Sequence, residues 1–175
     1  MTLSQPRDLD DLLNYRLMRL FAVSGAPVVR LCEGRYGIAR REWRILALLA
    51  AHGPLSPSAL ADHGDLDRAR TSRAIGSLVR KKLAARVAQP GDARRAVVAL
   101  TESGRRLYDE LFPQVARINQ QVLAVLDAPL QHALDEALAR LTIHAAQLNR
   151  ELALDVQADR RRGGSRRHWR DLDVA

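Results

Sequence analysis

The sequence predicts a mainly α fold with a small β-wing: a winged helix-turn-helix joined to long dimerisation helices. Three observations carry that prediction. A short helix, a tight turn and a longer basic helix follow one another between residues 56 and 83. Two short strands on either side of a charged turn come next. Two long helical stretches, with an apolar stripe on the second, then run to about residue 155.

The elements follow in chain order. Asp8 or Asp10 can cap a first helix that carries Leu9, Leu12, Leu13, Leu20 and Val23 at helical spacing. Pro27 is expected to kink or divide it. Gly34 and Gly37 punctuate before a helix over roughly 40–52, with Trp43, Ile45, Leu46, Leu48 and Leu49 on its apolar face. His52-Gly53-Pro54 stops it. Ser56 or Ser58 caps a short helix to about His63, and Gly64-Asp65-Leu66 makes the turn. Asp67 then caps a helix from Arg68 to about Leu83, burying Ile75, Leu78, Val79 and Leu83.

Val87–Gln89 and Ala96–Leu100 read as strands, with Pro90 to Arg95 as a charged hairpin turn. Thr101 and Glu102 open the next helix despite Gly104. The long helices span about 101–126 and 130–155, broken at Asp127-Ala128-Pro129. In the second, Leu130, Leu134, Ala137, Leu141, Ala145, Leu148 and Leu152 repeat close to the 3.5-residue period of a helix–helix seam. Four regions result: 8–35, an N-terminal helix of the dimerisation region; 36–106, the DNA-binding lobe; 107–155, C-terminal dimerisation helices; and 156–175, a basic disordered tail.

Charge locates the partner. The 175 residues carry a net charge of +8, and residues 66–106 alone hold 11 basic against 3 acidic side chains. Residues 107–155 hold 3 basic and 7 acidic ones. An excess concentrated on the second helix of the pair and its wing points to double-stranded DNA, with a further +3 in residues 156–175. The single Cys excludes an internal disulfide framework and a cysteine zinc cluster. No apolar run reaches the roughly 18 residues of a membrane span, and no apolar signal core opens the chain, so a cytoplasmic protein without membrane contact is expected. The five His are scattered, with no metalloprotease, phosphate-loop or nucleophile-elbow spacing, so neither an enzyme nor a cofactor is expected. His52 and His63 could form a metal site only by meeting a carboxylate, and capping or surface roles suit them better.

In a helix-turn-helix the start of the second helix enters the major groove. The side chains taken as exposed there are Arg68, Arg70, Thr71, Ser72 and Arg73. Arg can reach guanine O6 and N7 together, while Ser and Thr serve bases or phosphates. Arg80, Lys81 and Lys82 are placed for phosphates. In the wing, Arg94 is the candidate minor-groove finger, oriented by Asp92 and adjoined by Arg95. Ser56 and Ser58, at a helix start, are candidates for a backbone phosphate.

Leu66-Asp67-Arg68, Asp92-Ala93-Arg94 and Leu100-Thr101-Glu102-Ser103-Gly104, in this order and spacing, resemble the MarR (multiple antibiotic resistance regulator) family over about residues 9–155. Two departures stand out: Gly64-Asp65 replaces an apolar residue and Gly, and Lys82 replaces the Gly that commonly ends the recognition helix. The resemblance implies a homodimer on a short pseudo-palindrome, usually a repressor, released by a small aromatic effector such as a phenol or carboxylate. It also implies an effector pocket between the dimerisation helices and the DNA-binding lobe, with Arg16, Arg19, Ser24, Tyr36, Trp43 and Arg44 as candidate lining. Core packing is the competing role for Trp43, and pairing with Asp10 or Asp11 for the two N-terminal arginines. Some family members sense peroxide through one cysteine, which makes Cys32, near Arg30 and Arg35, the redox alternative. An architectural DNA-binding protein without effector is the other alternative.

Overall fold

A computed structural model describes residues 3–64, 66–89 and 92–155. The chain separates into two compact units, divided after Val122. The first holds α1 (Leu13–Arg30), α2 (Arg40–His52), α3 (Pro57–His63), α4 (Arg68–Arg80), β1 (Ala84–Gln89), β2 (Asp92–Leu100) and nearly all of α5 (Glu102–Leu123). The second contains α6 (Ala128–Asp155). No helix among the described residues is long and apolar enough to cross a membrane.

Asp8 caps only a 3-10 turn, Leu9–Asp11, by accepting from the Asp11 amide at 3.2 Å. α1 starts at Leu13 and runs through Pro27 without interruption, so the proline does not divide the helix. Its winding instead loosens into a π-turn at Leu31–Arg35. Gly37 (φ +62°) separates this turn from α2, and Gly53 (φ +74°) ends α2. Both helices therefore stop where the sequence places glycine in the left-handed region. Ser56 is the α3 cap, accepting from the Ala59 amide at 3.1 Å.

The core draws Ile45, Leu46 and Leu49 from α2, Leu60 from α3, Ile75 and Leu78 from α4, Val98 from β2 and Leu111 from α5. Truncating a buried leucine of this kind to Ala typically costs about 2–5 kcal/mol. β1 and β2 pair antiparallel from Ala84↔Leu100 to Ala88↔Ala96, and Leu55 bridges Val98 on the other edge. The strands are longer than the sequence indicates. Asp92–Arg95, read as turn, belongs to β2, and Ala93–Arg95 bulge out between the pairs Ala88↔Ala96 and Gln89↔Asp92. A polar wing tip carries no period-2 alternation, so its pairing was hidden. Pro90 and Gly91 lie outside the described residues, as do Asp65 and the tail expected over 156–175.

α4 ends at Arg80, three residues before the expected Leu83. The Leu83 amide bonds the Leu78 carbonyl at 2.9 Å and the Lys82 amide bonds that of Val79 at 3.0 Å, with Lys82 at φ +59°. This is the Schellman arrangement, with a lysine at the position glycine usually takes. The Thr101 hydroxyl donates to the Lys82 carbonyl at 2.7 Å and accepts from the Gly104 amide, tying the end of α4 to the start of α5. A Cβ on Gly104 would lie 1.9 Å from the Leu83 carbonyl oxygen, so this close approach requires glycine.

In the second unit the Leu130 amide bonds Asp127 Oδ1 at 2.9 Å. Ala128 and Pro129, expected in the break, form the first turn of α6 instead. The stripe leucines Leu130, Leu134, Leu141, Leu148 and Leu152 are all exposed in the single chain. Leu9, Leu12, Leu20 and Val23, at and before α1, are exposed as well.

Candidate nucleic-acid interface

α4 is anchored from within. Asp67 caps it, accepting from the Arg70 amide at 2.9 Å. That hydrogen bond is the main reason its carboxyl sits below the usual aspartate range, with Arg70 and Arg73 adding smaller charge effects. Thr71, Ile75 and Leu78 form the buried stripe. Thr71 is thus a correction: it is 1% exposed, and its hydroxyl donates to the Asp67 carbonyl at 2.9 Å. It serves the helix and the core rather than an exposed reading face.

At about 100° per residue, the side of α4 opposite that stripe carries Ala69, Arg73, Gly76 and Arg80, while Arg68 and Ser72 lie on one flank and Arg70 on the other. Arg68, Arg70, Ser72, Arg73 and Arg80 are all exposed. Four arginines and a serine on one helix, held by an apolar stripe and an acidic cap, make a rigid cationic ridge. Such a ridge can enter a groove and offer bidentate donors to base edges or phosphates. Ser58 is exposed, whereas the Ser56 oxygen is engaged as the α3 cap and lies 3.0 Å from the Ser58 hydroxyl. For Asp92, Arg94 and Arg95 the structure gives the strand, and their side chains lie outside the described residues.

The candidate effector residues occupy different surroundings. Arg16 and Arg19 are exposed on α1, with Arg19 paired to Asp10 at 3.0 Å. Ser24 is half-buried. Tyr36 donates to Glu110 at 2.8 Å and accepts from Gln114, both on α5. Trp43 is a core residue stacked on Tyr108, ring centroids 5.7 Å apart. Arg44 donates to the Gly64 carbonyl at 3.0 Å, bracing the turn before α4. Cys32 is fully buried, and burial pushes its thiol up, Glu33 adding to the rise and Arg40 opposing it. A thiol held protonated is a poor nucleophile. The His52 and His63 rings stack 4.9 Å apart, and no group of three or more metal-ligating side chains occurs among the described residues.

Sequence reasoning missed a cavity of about 680 Å³ between the start of α2 and the flank of α4. None of the six candidate effector residues lines it. Beside it Glu42, 3% exposed, reaches back to the Ala39 amide at 2.6 Å and accepts from Lys81 Nζ at 2.7 Å. Burial pushes the Glu42 carboxyl up, but Lys81, the nearby Ser77 hydroxyl and the Ala39 amide outweigh it and hold it below the usual glutamate range. The bridge locks the base of α4 to the start of α2. A lone i, i+3 Glu at a helix start was the only sequence signal for it.

A model of the MarR family matches residues 36–95. The transcriptional regulator FarR of Neisseria gonorrhoeae is 30% identical over 104 residues, covering 59% of this chain and 71% of that protein. A crystal structure of a MarR family transcriptional regulator from Silicibacter pomeroyi superposes with a TM-score of 0.69 at 25% identity, over 79% of this chain and 92% of the other. The PcaV transcriptional regulator from Streptomyces coelicolor, crystallised with its natural ligand, gives 0.63 at 25% identity, over 81% and 99%. With the helix-turn-helix, the paired wing strands and the cationic ridge, these likenesses place the chain in the MarR family of DNA-binding transcriptional regulators.

Proposed function

We propose that this chain is a cytoplasmic homodimeric repressor, not an enzyme, that binds a pseudo-palindromic operator and is released by a small aromatic carboxylate or phenol. The observation that carries the reading is the α4 ridge, whose exposed Arg68, Arg70, Ser72 and Arg73 stand on a helix fixed by buried Thr71, Ile75 and Leu78. Each protomer sets that ridge in a major groove, and Arg94 of each wing follows the adjacent minor groove, with Asp92 orienting it and Arg95 on phosphate. Arg80, Ser56 and Ser58 fix register on the backbone.

Residues 8–35 and 107–155 serve as the dimerisation region around the lobe 36–106. The exposed apolar side chains of α1 and of the α6 stripe support this, since such faces on a monomer mark association surfaces. Ligand release has support in PcaV, which was crystallised with its natural ligand. The test is sedimentation of the full chain, then fluorescence anisotropy on a duplex selected by the protein from a random library. A dimer whose duplex affinity falls on adding aromatic acids fits the reading. A monomer, or a complex indifferent to every acid tried, contradicts it, the second result favouring the architectural alternative.

A further inference from the structure

The width of α4 decides what its flanks meet. An α-helix with its side chains is about 10–12 Å across, and the major groove is about 12 Å wide. A helix seated in that groove therefore presses one flank towards each phosphate strand. The flank of α4 that carries Arg70 also carries Ala74 and Ser77, and all three line the cleft shared with the start of α2. Arg73 stands at its edge, on the side opposite the buried stripe. The cleft thus adjoins the face that enters the groove, where a backbone strand runs.

Its lining is cationic. Arg40 and Arg41 come from α2, and Arg70, Arg73 and Lys81 from α4 and its end, against Glu33 and Glu42. Glu42 is matched by Lys81. Arg41 and Arg70 are exposed and make no side-chain hydrogen bond or ion pair among the described residues. Arg40 is fixed without a carboxylate partner. Its guanidinium lies 3.9 Å from the Phe21 ring centroid and fits against Gly25, where a Cβ would come within 2.9 Å of it. Stacking on a ring face leaves its charge unneutralised, and a cation already in place lowers the ordering cost of binding an anion. One fixed cation beside two free guanidinium forks suits a phosphodiester, whose two unesterified oxygens accept such forks.

We propose that the α2–α4 cleft is a backbone clamp, in which Arg41 and Arg70 grip one phosphodiester of the strand beside the groove that α4 enters. Arg40 supplies a fixed positive charge next to them. This rests on the reading of α4 as the DNA-reading helix and deepens it in two ways. The footprint extends to α2, outside the basic stretch 66–106. Arg70 moves from base edges to phosphate, while Arg73, on the groove-facing side, keeps the bases. Like any phosphate contact, the clamp fixes register and carries no sequence information of its own.

The test is fluorescence anisotropy of the full chain on the selected duplex, on a mismatched duplex, and on a set in which single backbone phosphates become uncharged methylphosphonates. Arg41→Ala and Arg70→Ala are compared with wild type, and thermal melting checks that both variants fold. Each is expected to raise Kd at least about tenfold on matched and mismatched duplexes alike, and to lower the salt slope by about one per protomer. Arg41→Lys should recover that slope, because it restores the charge. At one phosphate in each half-site, the methylphosphonate should weaken wild-type binding about fivefold or more and affect either variant much less, the contact being already lost. Unchanged affinity and salt slope in Arg41→Ala overturn the proposal. So does a loss confined to the matched duplex in Arg70→Ala, which returns that residue to base reading. Variants that respond to every methylphosphonate as wild type does overturn it too. All three outcomes leave the repressor reading standing, because wild type still selects its duplex. Wild type that prefers no duplex would sink that reading instead, and the salt slopes on random duplex would still decide whether Arg41 and Arg70 hold phosphate.

Discussion

Lys82 and Gly104 hold one joint from opposite sides. Lys82 adopts φ +59° to close α4, and Gly104 admits the Leu83 carbonyl against α5. A left-handed conformation costs a residue with a Cβ about 1 kcal/mol relative to glycine. Lys82→Gly is therefore expected to stabilise the protein by roughly 0.5–1 kcal/mol in urea denaturation. Gly104→Ala should destabilise it by about 2–3 kcal/mol, because the added methyl must displace backbone; an unchanged denaturation midpoint would refute the contact. The sequence showed the departure at position 82 and the glycine at 104, but not that they meet, since only the tertiary fold brings Leu83 onto α5. Asp67 adds a pH dependence. Its folded value lies below the ordinary aspartate value of about 3.9. Its contribution is therefore full above that value and is lost as pH falls through the depressed one. Asp67→Asn keeps a capping oxygen and removes the titration, so its melting temperature should fall less steeply than that of wild type below about pH 4.

At the scale of elements, α4 divides its labour by face. Arg73 lies opposite the buried stripe, and Arg80 lies two turns further on along the same side. Arg73→Ala is expected to relax sequence preference, with a loss of about 1–3 kcal/mol at the base it reads. Arg80→Ala should weaken all duplexes alike and lower the salt slope by about one. Anisotropy against matched and mismatched duplexes at several salt concentrations separates the two. The positions of α2, α3 and the start of α4, with the Ser56 and Asp67 caps, were legible because period, glycine and Asp/Ser signals agree with the lobe's packing. Thr71 was not, because a threonine between arginines looks exposed until its place on the 3.6-residue turn is set by Ile75 and Leu78. The α2–α4 cavity was equally hidden, since its walls come from residues 33–42 and 70–81, which no local pattern connects.

For the whole molecule, charge and apolar surface fall on different parts of the chain. The basic excess sits in residues 66–106, and the acidic one in 107–155, where the exposed leucines of α6 lie. That separation suits the proposed dimer, in which residues 66–106 meet phosphate and the α6 leucines meet a second copy. Leu134→Glu with Leu141→Glu is expected to shift the sedimenting species from dimer to monomer and to cut operator affinity at least a hundredfold, because half-sites roughly 34 Å apart need both helices. Sequence-specific binding through α4 is the property on which the proposed repression depends. Its most direct measurement is the ratio of affinities for the selected duplex and for random duplex at one fixed salt concentration, with wild type and Arg73→Ala side by side. A ratio of about 10³ or more that collapses in the variant is the predicted result. A wild-type ratio near one would contradict it.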